Sequence, residues 1–306
     1  MSSAPLPDIA GTTASFIGFG EAAMAFVTGW DGNGPGTINA YDIKTDANDD
    51  VAEQKRQDYS KSGVVGCDTL AEALAGSDVI FSMVTASQAL SAAQSAAAQF
   101  LDDSLFFDCN SCAPGTKNKS AAIITSAGGR YVDVAIMAPV HPKLHQTPVL
   151  ISGSAATAAA ELMARLDMSA RIVPGDVGRA SSIKMIRSIM VKGIEALVAE
   201  CVLAGRRAGV DEEVLASLNA TYPGFDWQDR AAYMLERVMT HGVRRAEEMD
   251  EVAITVDDLG LDGRMARATA KWQRQIGRID WTEMDGDYIA RADSILAELM
   301  DPEGKQ

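Results

Sequence analysis

The segment TASFIGFGEAAMAFVTGW, residues 13–30, constrains the fold more than any other stretch of the chain. A short apolar strand runs into Gly18-Phe19-Gly20 and leaves through an alanine-rich helix, with Ala23 in the third small position of a G-x-G-x-x-G/A pattern. Each small residue has a physical task. Gly18 permits the tight turn, Gly20 lets a ligand approach the backbone, and Ala23 lets the helix lie close to the sheet. The helix start then offers unpaired amides to a phosphate. A second strand, TINAYDI, ends at Asp42, which stands 22 residues beyond Gly20, the spacing at which a carboxylate accepts hydrogen bonds from adenosine ribose hydroxyls. Strand, turn, helix and acidic strand end in this order predict a dinucleotide site containing Gly18, Phe19, Gly20, Glu21, Ala22 and Asp42. A carboxylate at that place repels a ribose phosphate, which favours NAD over NADP, and the nearby Lys44 softens the preference.

The same rhythm continues along the chain. VVGC leads into LAEALAGS, SDVIFSMV into SQALSAAQSAAAQF, and SLFFDC into a loop and KNKSAAIITSAG, after which come YVDVAIMA, PVLISG, a helix over 155–166 and a last strand over 169–173. Short apolar strands alternating with helical stretches predict parallel βαβ units covered on both faces. The strand ends at Ser82-Met83-Val84-Thr85 and Asp108 to Ser111 fall where such a sheet lines its ligand crevice, placing Met83, Val84 and Thr85 beside the cofactor. From about Ala180 the pattern changes to helices alone, beginning with one of more than 20 residues. The expected architecture is α/β, a Rossmann-type domain over 1–178 joined through a long helix to an all-α domain over 179–306.

Charge and cysteine content narrow the function classes. A formal net charge of -15 disfavours nonspecific nucleic-acid binding. Met1 to Gly11 lack a basic start and a continuous apolar core, and no apolar run reaches the roughly 18 to 20 residues that span a bilayer, so a cytoplasmic protein without membrane attachment is expected. Cys67, Cys109, Cys112 and Cys201 are too few and too irregular for a disulfide scaffold. Cys109-Asn110-Ser111-Cys112 matches CxxC but follows a strand instead of opening a helix, and no metal site is expected from it or from His141 and His145.

Taken in order, IGFGEAA, DVIFSMVT, DCNSCAP and GDVGRASSIKMIRSIMVKG resemble the motifs of the beta-hydroxyacid dehydrogenase superfamily, which includes 3-hydroxyisobutyrate and 6-phosphogluconate dehydrogenases. The resemblance extends over essentially the whole chain and is nearest to a divergent branch with an uncharacterised C-terminal helical domain. It implies an NAD(P)-dependent oxidoreductase that moves a hydride between nicotinamide and a hydroxyacid-like alcohol. It also implies a homodimer, and it assigns Lys184 to the substrate oxygen as acid and base. The chemistry suits a lysine, because the hydroxyl proton leaves as hydride leaves carbon. Asn110 and Ser111 stand where the family carries its Ser-Thr pair, and either of them, with Ser188, is expected to orient the substrate in the catalytic site.

Departures from the family pattern bear on the substrate. Ser188 stands one helical turn after Lys184, in place of a substrate-positioning asparagine. The family's D-A-P-V-S-G-G segment aligns with residues 133–139, so that Met137-Ala138-Pro139 replaces the Ser-Gly-Gly that cradles a carboxylate. A bulkier substrate, still carboxylate-bearing, is expected, with Met137, His141, Arg187, His241 and Arg245 as candidate contacts. Two rival readings remain: an imine reductase using the same hydride geometry, and a non-catalytic nucleotide-binding sensor.

Overall fold

The computed structural model describes residues 8–99, 101, 103–281 and 286–300, so the leading residues 1–7 of the segment read above for targeting lie outside the described set. Two compact units divide after Met185.

The first unit is built on an eight-stranded sheet. Its strands are β1 (Thr13–Ile17), β2 (Thr37–Tyr41), β3 (Val65–Gly66), β4 (Val79–Ser82), β5 (Leu105–Asp108), β6 (Arg130–Ile136), β7 (Val149–Ser152) and β8 (Ala170–Ile172). Six helices accompany them: α1 (Glu21–Trp30), α2 (Asp50–Ser62), α3 (Leu70–Leu74), α4 (Ala89–Ala97), α5 (Pro114–Ser126) and α6 (Ala156–Arg165). The spatial order β3-β2-β1-β4-β5-β6-β7-β8 places the chain reversal between β1 and β4, the switch point at which doubly wound sheets bind ligands. Alternation along the strands feeds both faces: Phe16, Phe81 and Phe107 join Phe26 and Trp30 in one cluster, while Ile17, Ile80 and Phe106 join Ile124 and Tyr131 in another. Burial on both sides explains why these strands read as continuous apolar runs.

The expectation of parallel pairing throughout is corrected at β7, which runs antiparallel to β6. No α-helix lies between Ile136 and Val149, and a parallel pair needs a crossover of about a dozen residues, usually helical. Parallel pairing resumes between β7 and β8, which α6 connects.

Register has a consequence that composition conceals. Ser82 pairs with Asp108, Asp108 with Asp133, and Asp133 with Ser152, so four polar residues lie side by side across four strands. Each is buried, at 1% exposure or less.

The helix α7 (Arg179–Ala208) begins in the first unit and continues into the second, which adds α8 (Asp211–Thr221), α9 (Trp227–Asp258), α10 (Arg264–Gly277) and α11 (Tyr288–Met300). The expected division at 178 marks the residue before α7, whereas the compact units part after Met185, leaving Lys184 with the sheet. In the second unit Val198, Val202, Leu215, Leu235, Val238 and Ile295 form the core. Backbones of α9 and α10 meet at Gly242 and Gly277: a Cβ on Gly242 would lie 2.7 Å from the Gly277 Cα. Gly242→Ala is therefore expected to lower the stability of the helical unit by about 1–3 kcal/mol, measured by urea denaturation followed by circular dichroism. Among the described residues no helix is long and apolar enough to cross a membrane.

Candidate active site

The glycine turn occupies the β1/β4 switch point. Gly18 has φ of 81° and a Cβ there would lie 2.6 Å from the Met83 carbonyl oxygen, so both backbone conformation and space demand glycine. Gly20 is different. As the N-cap of α1 it has ordinary extended backbone, and a Cβ added to it would meet nothing within 4 Å. Ala23 is fully buried under α1. The space over Gly20 and the free first-turn amides of α1 fit a pyrophosphate, so the residues present accept a dinucleotide. Gly20→Ala should leave the unfolding midpoint unchanged and weaken NAD(H) binding by about tenfold or more, read by NADH fluorescence titration; equal affinity would deny a ligand at this turn.

The peptide of Phe19 is held at both ends. Its N–H donates to Asp42 Oδ2 at 2.9 Å, and its carbonyl accepts from Lys55 Nζ at 2.7 Å. Asp42 Oδ1 also accepts the Lys44 N–H at 3.1 Å. Asp42 thus shapes the turn, and Lys55, which the sequence alone does not single out, is its counterpart on α2. Met83 and Val84 press against Gly18, whereas Thr85 is exposed with its hydroxyl 3.2 Å from that of Ser87. Glu21 is exposed and Ala22 half-buried in the first turn of α1.

At the end of β5, Asn110 is 3% exposed and its amide is spent within the protein. Its Oδ1 accepts the Val84 N–H at 2.7 Å, and its Nδ2 donates to Ser82 Oγ at 3.0 Å and to Asp108 Oδ1 at 2.8 Å. Asn110 thus ties the ends of β4 and β5 together. Ser111, half-buried beside it, accepts a short hydrogen bond from Lys184 Nζ. Lys184 sits in the second turn of α7, itself half-buried.

The start of α7 is fixed by Asp133. Its Oδ2 accepts from Ser152 Oγ, the Gly178 N–H and the Ser181 N–H, each at 3.0 Å, and its Oδ1 accepts from Ser181 Oγ at 2.5 Å. A carboxylate on a helix N-terminus is favoured by the helix dipole as well as by these bonds. Beside it, the fully buried Lys117 lies 2.9 Å from Asp108 Oδ1 and 3.6 Å from Asp133 Oδ1. Burial opposes its charge, yet the two carboxylates carry its pKa above the ordinary lysine value. Tyr131 donates to Asp108 Oδ2 at 2.6 Å, and burial followed by the Asp108 charge raises its phenol well above normal.

Burial pushes the Cys109 thiol up to about 12, with Asp108 adding to the effect and Lys117 and Lys184 opposing it. The native state then holds its proton where the unfolded chain releases it, above about pH 8.5. Stability is therefore expected to fall as pH rises from there toward about 12, by up to about 1.4 kcal/mol per pH unit. Cys109→Ala should flatten that limb of a pH–stability curve, and an unchanged curve would deny the burial effect.

The remaining candidate contacts are divided between the two units. Met137 is half-buried and packs against the cluster of Ala135, Leu150, Val173 and Ala180. His145 abuts Gly29 at the far end of α1 from the glycine turn, and His141 is exposed. In the helical unit Arg245 is buried against Glu195, to which Gln273 Nε2 also donates at 3.4 Å, so its guanidinium joins α9 to α7. Lys192, one turn beyond Ser188, donates to Ser188 Oγ at 3.5 Å and forms a short pair with Glu248. Arg187 is exposed and His241 half-buried.

Residues 14–175 match the NAD binding domain of 6-phosphogluconate dehydrogenase, and residues 206–276 match a domain of unknown function (DUF1932). A conserved hypothetical protein from Sinorhizobium meliloti 1021 is 35% identical, with a TM-score of 0.70 over 94% of this chain and 96% of its own. The conserved protein MTH1747, of unknown function and described as structurally similar to 3-hydroxyacid dehydrogenases, is 27% identical, with a TM-score of 0.64 over 87% of this chain and 100% of its own. At 15% identity the fold is also that of 3-hydroxyisobutyrate dehydrogenase from Mycobacterium tuberculosis, with a TM-score of 0.69 over 93% of this chain and 99% of that one. The glycine turn at the switch point, the sheet order and these matches lead to one conclusion: the chain belongs to the 6-phosphogluconate dehydrogenase family of NAD-binding proteins and carries the domain of unknown function on its C-terminal helices.

Proposed function

We propose that the protein is an NAD(P)-dependent dehydrogenase or reductase acting on a carboxylate-bearing, hydroxyacid-like alcohol, with Lys184 as the proton-handling group. The observation that carries this reading is the hydrogen bond from Lys184 Nζ to Ser111 Oγ at the β5 strand end, beside the switch point where the dinucleotide binds. A bound nicotinamide dinucleotide supplies or accepts the hydride. Gly18, Gly20 and the first turn of α1 hold its pyrophosphate, and Asp42 meets its adenosine ribose. As the neutral amine Lys184 takes the hydroxyl proton in oxidation, and as the ammonium it returns that proton to the carbonyl oxygen in reduction, while Ser111 keeps its nitrogen aimed. Ser188, on the next turn of α7, orients the substrate.

NAD is preferred over NADP in this reading, on the charge of Asp42. Because Asp42 also accepts from the Phe19 N–H, Asp42→Ala should weaken both cofactors. Asp42→Asn keeps an acceptor for that bond and removes the repelling charge, so the NADP/NAD ratio of kcat/KM should rise about tenfold; no change would remove the ribose argument. Exposed Ile186, Met190, Val191 and Leu197 on α7 support a homodimer, to be checked by light scattering. The activity itself is tested with a panel of hydroxyacids, keto acids and imines, following nicotinamide fluorescence. Turnover of an acid supports the proposal, turnover of imines alone favours the reductase reading, and cofactor binding without any turnover favours a sensor.

A further inference from the structure

The pair Lys184–Ser111 draws its two members from different elements. Ser111 stands in the loop after β5, directly behind Asp108 and Asn110, and Lys184 stands on α7, one turn after Ser181. Each element is gripped by one aspartate of the polar row. Asp108 Oδ1 accepts both the Asn110 N–H at 3.0 Å and Asn110 Nδ2 at 2.8 Å, which fixes the loop. Asp133 accepts the Gly178 and Ser181 amides, which fixes the helix start. One ammonium spans both aspartates: Lys117 Nζ donates to the Asp108 carbonyl at 2.6 Å and to its Oδ1 at 2.9 Å, and stands 3.6 Å from Asp133 Oδ1.

We infer that Lys117 is a positioning residue that brackets the loop carrying Ser111 and the helix carrying Lys184, and so sets the contact between them. The inference rests on the proposed role of Lys184 for its functional meaning, while the geometry it predicts is independent of any substrate. Lys117, Asp108 and Asp133 are all fully buried, so no water replaces a lost partner and the two carboxylates are left facing each other when the ammonium is removed. Their repulsion then pushes the loop and the helix start apart, and the bracket opens.

Three full-length chains test this: wild type, Lys117→Met, and Lys117→Met with Asp108→Asn. The double variant has the same net buried charge as wild type, so it folds where the single variant fails, yet it still lacks the bracket. Labelling of Lys184 by trinitrobenzenesulfonate is followed by peptide mass spectrometry between pH 7 and 10, with the exposed Lys44 as internal reference. Both folded variants are expected to label Lys184 at least about fivefold faster relative to Lys44 near neutral pH, with a displaced pH midpoint. Where wild type turns over a substrate, kcat should fall about 10²-fold with the KM for NAD within twofold, the pattern of a misplaced reacting group. A Lys184 profile within twofold of wild type in either folded variant overturns the inference. The labelling needs no turnover, so an inactive wild type would remove the dehydrogenase reading and leave this result interpretable.

Discussion

Lys184→Ala is expected to leave NADH affinity within about twofold of wild type and to lower kcat by about 10²–10⁴-fold, the usual range for loss of a positioned acid-base group. The separation follows from location. Lys184 meets Ser111 at the end of β5, whereas the cofactor contacts assigned to Gly18, Gly20 and Asp42 lie on β1, α1 and the end of β2. Lys184→Arg sharpens the result, because a guanidinium retains charge but stays protonated at working pH. If polarising the carbonyl were the only task, arginine would restore reduction; if proton transfer is needed, it would not. Single-turnover fluorescence on a substrate found by the panel reads both variants, and wild-type turnover in Lys184→Ala would end the assignment.

Asp133→Ala carries the other large effect. The substitution removes the acceptor for two backbone amides and two serine hydroxyls and strips Lys117 of one of its two counter-charges. Breaking a buried pair from one side costs about 3–5 kcal/mol, and the stranded α7 amides add to it. Urea denaturation should show a loss of that order. A loss below about 1 kcal/mol would mean that the start of α7 is held by something else.

Local patterns carried much of this fold into view from the sequence. The glycine turn, Asp42 and the long helix with Lys184 each depend on residues close together in the chain, where spacing translates directly into geometry. What escaped depends on register or on distant partners. Lys117 lies within KNKSAAIITSAG, where a helix lysine reads as solvated; only the alignment of β5 with β6 brings Asp108 and Asp133 to it. The pairing of Arg245 with Glu195 likewise joins residues 50 positions apart on different helices. The reversal of β7 follows from the absence of a crossover helix, a weak signal in a loop that contains two histidines and three prolines. Lys192 was within reach of sequence reasoning, since it repeats the four-residue step from Lys184 to Ser188.

The division after Met185 places Lys184 and Ser111 in the same compact unit, with Lys117 and both aspartates that grip them. In the proposed mechanism, the group that moves the proton and the residues that aim it thus belong to the sheet unit as one cassette. Replacing the helical residues 206–276, matched by a family model of their own, should therefore leave the Lys184–Ser111 contact intact.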